Sequence, residues 1–360
     1  MMKIRALVIG CFVVLSLIGH SQVNTDNSPD YGKLLGMALN QDIKSILKEM
    51  ESLNIVTERD KKFKTEFENR FKYEQDKSNY LSKKDTTLNA LNRIYRDYWR
   101  RSMLDKSTNN DKKLIKTVAD FLNSEKTKNK FTELKINKKS FEETYNKYIE
   151  YKGFHTSGFG KTGSLYDFLV WKTNIDTTYR IKLINDTIDV NVHFMDGFIS
   201  LGWEEYATLG TSYPGGWTTK TALYCVRQAY DPKSENFWVS YLSHEGQHFS
   251  DYKHYPRLVS NDLEYRAKLV ELTFSNENVY KLIGMFINNA KYDKTNAHPF
   301  SNYCIIRDLS KLLFNVDFEK DLTKWQLISK KDINNAARKL FLQNTEMLDK
   351  NGKDVKSILK

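Results

Sequence analysis

Proline is scarce in this chain, five residues in 360, and glycine is modest at sixteen. That scarcity excludes collagen-like and linker-rich architectures. It leaves helix as the dominant element, because these two residues are the main helix breakers. Cysteine is scarcer still, at three, too few for a disulfide scaffold in a chain of this length. No apolar run is long enough to span a bilayer, and no segment repeats at a fixed period. With 40% hydrophobic and 28% charged residues the composition is globular, sufficient for two domains or one large elaborated one. The net charge of +11 can attract nucleic acid, but it is also what a lysine-rich solvated exterior produces. No motif adds to the charge, so no nucleic-acid partner is expected. The basic-aromatic run Tyr95-Arg96-Asp97-Tyr98-Trp99-Arg100-Arg101 reads better as a helix with one buried aromatic face than as a base-stacking surface.

The first 21 residues read as an export signal. Lys3 and Arg5 open it, Ala6 to Gly19 is almost wholly apolar, and Gly19-His20-Ser21 puts small residues at both recognition positions before Gln22. The mature chain is expected to be secreted or periplasmic, with no transmembrane segment. Val8-Ile9-Gly10-Cys11 is a competing lipobox pattern that would leave the chain lipid-anchored through Cys11. The apolar run continues well past that cysteine, which favours cleavage near Ser21. Cys225 and Cys304 remain, either as a disulfide or as two buried thiols.

Residues 22–150 carry apolar positions at helical spacing: Leu35, Leu39, Ile43, Ile46 and Met50, then Leu88, Leu91, Tyr95 and Tyr98, then Leu114, Val118 and Leu122. The texture changes near residue 150. Tyr179–Ile184 and Thr187–Phe194 alternate like strands around the turn Asn185-Asp186, and Thr218–Val226 reads as a further strand. Ser234 is placed to cap a helix running through residue 248, which Pro256 stops, and Ser260 or Asn261 to cap the next. Helices over Tyr303–Phe314 and from Ser329 finish the chain. The expected fold is α+β and mainly helical: a helical N-terminal region over 22–150, a domain with a small sheet and an active-site helix over 151–300, and C-terminal helices over 301–360 packing on it.

The segment that carries chemistry is His244-Glu245-Gly246-Gln247-His248. Two histidines four apart on a helix share a face, one turn apart, and can bind one zinc ion. Glu245 points about 100° away, where a carboxylate can act as general base on a metal-bound water. Zinc lowers the pKa of that water, so hydroxide is available near neutral pH. Gly246 is unfavourable inside a helix by about 1 kcal/mol and implies close packing behind the site.

A zinc hydrolase needs a third protein ligand. Glu264 lies 16 residues beyond His248 on the next helix; it also fits a capping box with Asn261. His254 has the spacing of a third histidine, but Asp251 stands where that pattern needs a helix-breaking glycine. Glu271, one heptad from Glu264, is the fallback. Asp251, three residues past His248, can accept the second N–H of a ligating imidazole or simply face solvent. Candidate donors to a transition-state oxyanion are His298 and Tyr303 in the expected loop 298–303, and Tyr265.

His244-Glu245-Gly246-Gln247-His248 with a downstream Glu264 resembles the zincin metallopeptidases, particularly the gluzincins; the resemblance covers residues 180–275. It implies a helical active-site subdomain against a small sheet whose edge strand, here Thr218–Val226, binds extended peptide. It implies a peptide or protein substrate, zinc bound by His244, His248 and Glu264, and Glu245 as base. The interval before Glu264 is shorter than most gluzincins show. A non-catalytic zincin-like protein that binds peptides or a partner is the alternative; the intact Glu245 favours catalysis.

Overall fold

The computed structural model describes residues 29–53, 57–78, 86–129 and 141–359; the expected signal segment 1–21, with Cys11, lies outside them. The fold is α+β and mainly helical. No helix among the described residues is long and apolar enough to cross a membrane. Two compact units are present, one of residues 29–174 with 195–214, the other of 175–194 with 215–359.

The first unit opens with α1 (Tyr31–Leu39), α2 (Ile43–Ser52), α3 (Glu58–Phe71), α4 (Asn89–Leu104), α5 (Asp111–Asn129) and α6 (Phe141–Tyr151). Side chains start several of them: Asp30 and Asp42 accept from the first-turn amides of α1 and α2, and Thr57 with Asp60 forms a capping box on α3. The strands β1 (His155–Thr156), β2 (Lys161–Thr162), β3 (Leu165–Tyr166) and β4 (Leu169–Trp171) follow. Residues 151–174, expected beyond a boundary at 150, stay with these helices, because Phe154, Leu165, Phe168 and Val170 belong to the helical core. The short β7 (Ser200–Leu201) pairs with β4, and α7 (Trp203–Ala207) closes the unit.

The basic-aromatic run on α4 faces inward. Tyr95, Tyr98 and Trp99 are buried, with Tyr95 stacked on Phe168 at 4.8 Å. Arg100 donates to the carbonyls of Arg70 (2.8 Å) and Phe71 (3.3 Å), satisfying acceptors left open at the end of α3. Arg96 pairs with Asp76 at 3.0 Å. Rings held this way offer no face for a nucleic-acid base to stack on.

The second unit holds a four-stranded sheet of β5 (Thr173–Lys182, starting at the unit boundary), β6 (Thr187–Asp196), β8 (Gly216–Thr218) and β9 (Leu223–Val226), in the order β5-β6-β9-β8. Alternate residues of β6, Ile188, Val190, Val192 and Phe194, are buried, as their period-2 spacing requires. The expected strand Thr218–Val226 is two strands. β8 and β9 pair antiparallel, with Thr218 opposite Leu223, and of these two only β8 lies at an edge of the sheet. A π-helical segment (Asn236–Ser243) leads into α8 (His244–His254), followed by α9 (Ser260–Phe274), α10 (Val279–Asn288), α11 (Ala297–Phe314), α12 (Leu322–Gln326) and α13 (Lys330–Asn351). Helix α9 is central, packed against α8, α11 and α13. Ser329 caps α13 as its position implied. Cys225 and Cys304 are separate buried thiols.

In the first unit, Asp167 accepts from the amides of Phe168 and Trp203 and from Thr162 Oγ1 (2.7–2.9 Å), capping α7. A Cβ at Gly202 would collide with that carboxylate, and Gly202 takes a φ of 93°. Glu204 is buried nearby; burial, reinforced by Asp167, pushes its pKa up to about 8, and burial raises Asp167 to about 6. The folded unit thus keeps a proton on Glu204 that the unfolded chain loses near 4.5. Between pH 4.5 and about 8 this group binds more proton in the folded state, so its contribution to stability falls as pH rises, by up to about 1.4 kcal/mol per pH unit from Glu204 alone. Glu204→Gln should raise the melting temperature at the alkaline end of this window and flatten the decline. Calorimetry on both proteins across the window checks this; identical pH profiles would contradict it.

Candidate metal centre

The site begins with a helix that changes pitch. Ser234 Oγ accepts from the amide of Phe237 (3.2 Å), as a cap should, but the segment from Asn236 to Ser243 is π-helical and only His244 begins the α-helical turn. Ser243 Oγ donates back to the Trp238 carbonyl at 2.8 Å within this widened segment. Gly246 seats α8 on the sheet. A Cβ there would stand 3.1 Å from Ile181 Cδ1 and 3.4 Å from Ile188 Cδ1, so the close packing that glycine implied comes from β5 and β6.

His244 and His248 project from one face of α8 with ring centroids 5.0 Å apart. Glu264 reaches them from α9. Its Oε1 lies 3.3 Å from His248 Nε2 and its Oε2 3.6 Å from His244 Nε2. Ligand atoms of the three residues lie within 4.8 Å of one another, and all three side chains are buried. The contacts between His248 and Glu264 do not have hydrogen-bond geometry; both ring nitrogens of His248 and Glu264 Oε1 are buried without such a bond among the described residues. Lone pairs that converge on one point in a buried site, unsatisfied by each other, are what a metal ion requires. This triad can therefore hold a metal ion, and two nitrogens with one carboxylate are a fitting donor set for a divalent transition metal.

The electrostatics agree. Burial alone would raise the Glu264 pKa. His298, with His244 and His248, outweighs it and holds the carboxyl well below its usual range. His298 itself is lowered, first by burial and then by Lys268 against the opposing pull of Glu264, which favours the neutral ring.

Glu245 occupies the adjoining position. Thr218 Oγ1, on the edge strand β8, donates to Glu245 Oε2 and lies 3.2 Å from the Glu245 carbonyl. Oε1 is buried with no hydrogen-bond partner among the described residues. One carboxylate oxygen is thus held and the other left open, as a proton acceptor needs.

The structure sorts the other candidates. His254 ends α8, exposed, with Nε2 3.4 Å from Asp186, a carboxylate that also accepts from Ser250 at 2.7 Å. It is not at the site. The capping box with Asn261 does not form: Val259 precedes α9 without a side-chain cap, and Asn261 Nδ2 donates to the Lys294 carbonyl. Asp251 does not orient a histidine, because its oxygens are taken by Gln247 Nε2 (2.8 Å) and the buried Arg266 Nε (2.9 Å). Glu271 is the carboxylate placed beside His244, with Oε2 3.4 Å from Nδ1, while Nε2 faces Glu264. Its spacing of two helical turns from Glu264 was the available signal.

Residues 298–303 are not a loop but the first turns of α11. His298 Nδ1 stands 3.0 Å from Glu264 Oε2, so this residue does join the site. Tyr303 packs against the rings of Tyr292 and Phe318, and Tyr265 donates to Asp308 at 2.9 Å; both belong to other parts of the unit. Sequence reasoning missed Thr218 as a partner of Glu245. It also missed Lys268, whose one sign was its place one turn after Glu264, and Tyr252. Tyr252 is one turn beyond His248 on the same face, and its hydroxyl is buried without a hydrogen-bond partner among the described residues.

Compared with protein-family models, with curated proteins and with solved structures, the chain matches none. The site's chemistry therefore rests on its own geometry. Glu264→Ala should lower the metal content of the purified protein by at least about tenfold, whereas His254→Ala should leave it unchanged. Elemental analysis after dialysis against a weak chelator measures both, and depletion by His254→Ala alone would reverse the assignment.

Proposed function

We propose that this protein is an exported zinc-dependent hydrolase of peptide bonds. The observation that carries the reading is the pairing of a buried His244–His248–Glu264 triad with a carboxylate, Glu245, one of whose oxygens has no hydrogen-bond partner among the described residues. A scaffold that only bound metal would have no use for that open, buried oxygen, which is unfavourable by about 1–3 kcal/mol when left unsatisfied.

His244 and His248 would hold the ion through Nε2, and Glu264 through a carboxylate oxygen. When bound, zinc supplies Lewis acidity toward a carbonyl and a nucleophilic hydroxide near neutral pH. Glu245 takes the proton of the attacking water on Oε1 and returns it to the departing amine nitrogen, so the proton balance closes on one residue. Thr218 keeps Oε2 occupied, which fixes which oxygen works. Glu271 on His244 Nδ1 sets that imidazole's tautomer and ring orientation. Burial, with the carboxylates of Glu245, Glu264 and Asp251, raises the Tyr252 pKa, so its hydroxyl stays a hydrogen-bond donor on the ligand face. The edge position of β8, which carries Thr218, supports an extended peptide as the substrate class. Export is supported by the charged, apolar and small-residue pattern of residues 1–21.

One observation favours a second reading, a non-catalytic metal-containing protein that binds peptides or a partner. His244, Glu245, His248 and Glu264 are each no more than 1% exposed. The test separates the two. Chelator-sensitive cleavage is sought with unfolded proteins and peptide libraries, and Glu245→Gln is compared with wild type. Glu245→Gln should retain its metal and its fold while losing about 10²–10⁴-fold in rate, the usual contribution of a general base. Equal cleavage by the variant would refute the mechanism. Absence of chelator-sensitive cleavage across the whole panel would favour the second reading.

A further inference from the structure

Glu264 differs from the two histidines in one physical respect: its carboxylate sits at the end of a flexible stem, and a ligand must be presented in one orientation. Its two oxygens have different surroundings. Oε1 faces His248 Nε2 at 3.3 Å. Oε2 lies 3.0 Å from His298 Nδ1 and 3.9 Å from Lys268 Nζ.

Lys268 is one helical turn after Glu264 on α9 and is buried. Its ammonium donates to Asn302 Oδ1 (2.8 Å), Ser301 Oγ (3.0 Å) and the His298 carbonyl (3.2 Å), all in the first turns of α11. Ser301 Oγ in turn donates to the same His298 carbonyl at 2.9 Å. A buried lysine is unfavourable unless its donors are met, and these acceptors come from the one helix turn that presents His298. The lysine thus ties the start of α11 to α9 at the level of Glu264.

We propose that His298 and Lys268 are positioning residues for the third metal ligand: His298 directly, and Lys268 through the first turn of α11, hold Oε2 and leave Oε1 as the oxygen offered to the ion. This rests on the reading of His244, His248 and Glu264 as a metal centre, and requires no activity. It assigns the start of α11 a role in metal affinity through residues outside the converging set of His244, His248 and Glu264.

The test uses purified protein stripped of metal and titrated with cobalt(II) against a chromophoric chelator. The visible cobalt spectrum and the melting of the metal-free form are recorded for each variant. Wild type should bind one cobalt, abolished in His244→Ala. His298→Leu should bind about 10–100-fold more weakly, with a shifted cobalt spectrum and unchanged metal-free melting. His298→Asn carries an N–H at the place of Nδ1 and should recover most of the affinity and the spectrum. Lys268→Met should weaken binding in the same direction. Wild-type affinity and spectrum in both His298→Leu and Lys268→Met would overturn the proposal while leaving the metal centre standing. Failure of wild type to bind cobalt, or equal binding by His244→Ala, would remove the metal centre and the proposal together. Should His298→Leu not fold, His298→Asn is set against His298→Gln, whose amide lies one bond further out; indistinguishable spectra and affinities for the two would overturn the proposal.

Discussion

Asp262 to Leu272 of α9 are all buried, and five of these residues are charged: Asp262, Glu264, Arg266, Lys268 and Glu271. A charge taken out of water is unfavourable by several kcal/mol unless a partner and hydrogen bonds compensate it. Much of the second unit is arranged to meet that demand. Arg266 is answered by Asp251 of α8 and by Asn344 and Thr345 of α13 at 2.9–3.0 Å. Asp262 accepts from Ser357 Oγ and from the amides of Ile358 and Leu359, which docks the segment after α13. Lys268 is met by the start of α11. The helices around α9 are thus fixed by polar contacts as well as by the apolar side chains Leu263, Leu269, Val270 and Leu272 between them.

Glu264 and Glu271 are the two charges of α9 that this scheme directs toward histidines. Their imidazole contacts are His244, His248 and His298, and Lys268 Nζ approaches Glu264 only to 3.9 Å. A divalent cation held by His244, His248 and Glu264 would supply the missing positive charge. The same reasoning explains why Asp251 is absent from the cluster. A buried guanidinium is a stronger claimant on a carboxylate than a neutral imidazole N–H, and its planar fork suits one.

The first unit solves its burial problem differently. Its basic residues are turned to structural use: Arg100 closes the end of α3, and Arg96 meets Asp76. Its aromatic residues, Tyr95, Trp99, Phe168 and Tyr206 among them, fill the core between helices and short strands. Asp167 and Glu204 remain as buried acids there, one capping α7 and the other with its pKa raised by burial first and by Asp167 second.

Features set by neighbours along the chain were legible in the sequence. The shared face of His244 and His248, the alternation of β6, the Ser329 cap and the buried face of α4 all follow from the 3.6- and 2-residue periods. Glu264 could be named as one of three acceptable third ligands, because its helix could be foreseen but not how that helix would lie against α8. The rest depended on how separate elements cross. Tertiary packing chose Glu264 over His254, gave Asp251 to Arg266 and His244 to Glu271, and drew His298 into the first turn of α11 beside the site. It also divided the expected edge strand in two and kept residues 151–174 with the N-terminal helices. The reason is geometric: spacing within one helix or strand is fixed by backbone hydrogen bonds, whereas a contact between two elements depends on every side chain packed between them.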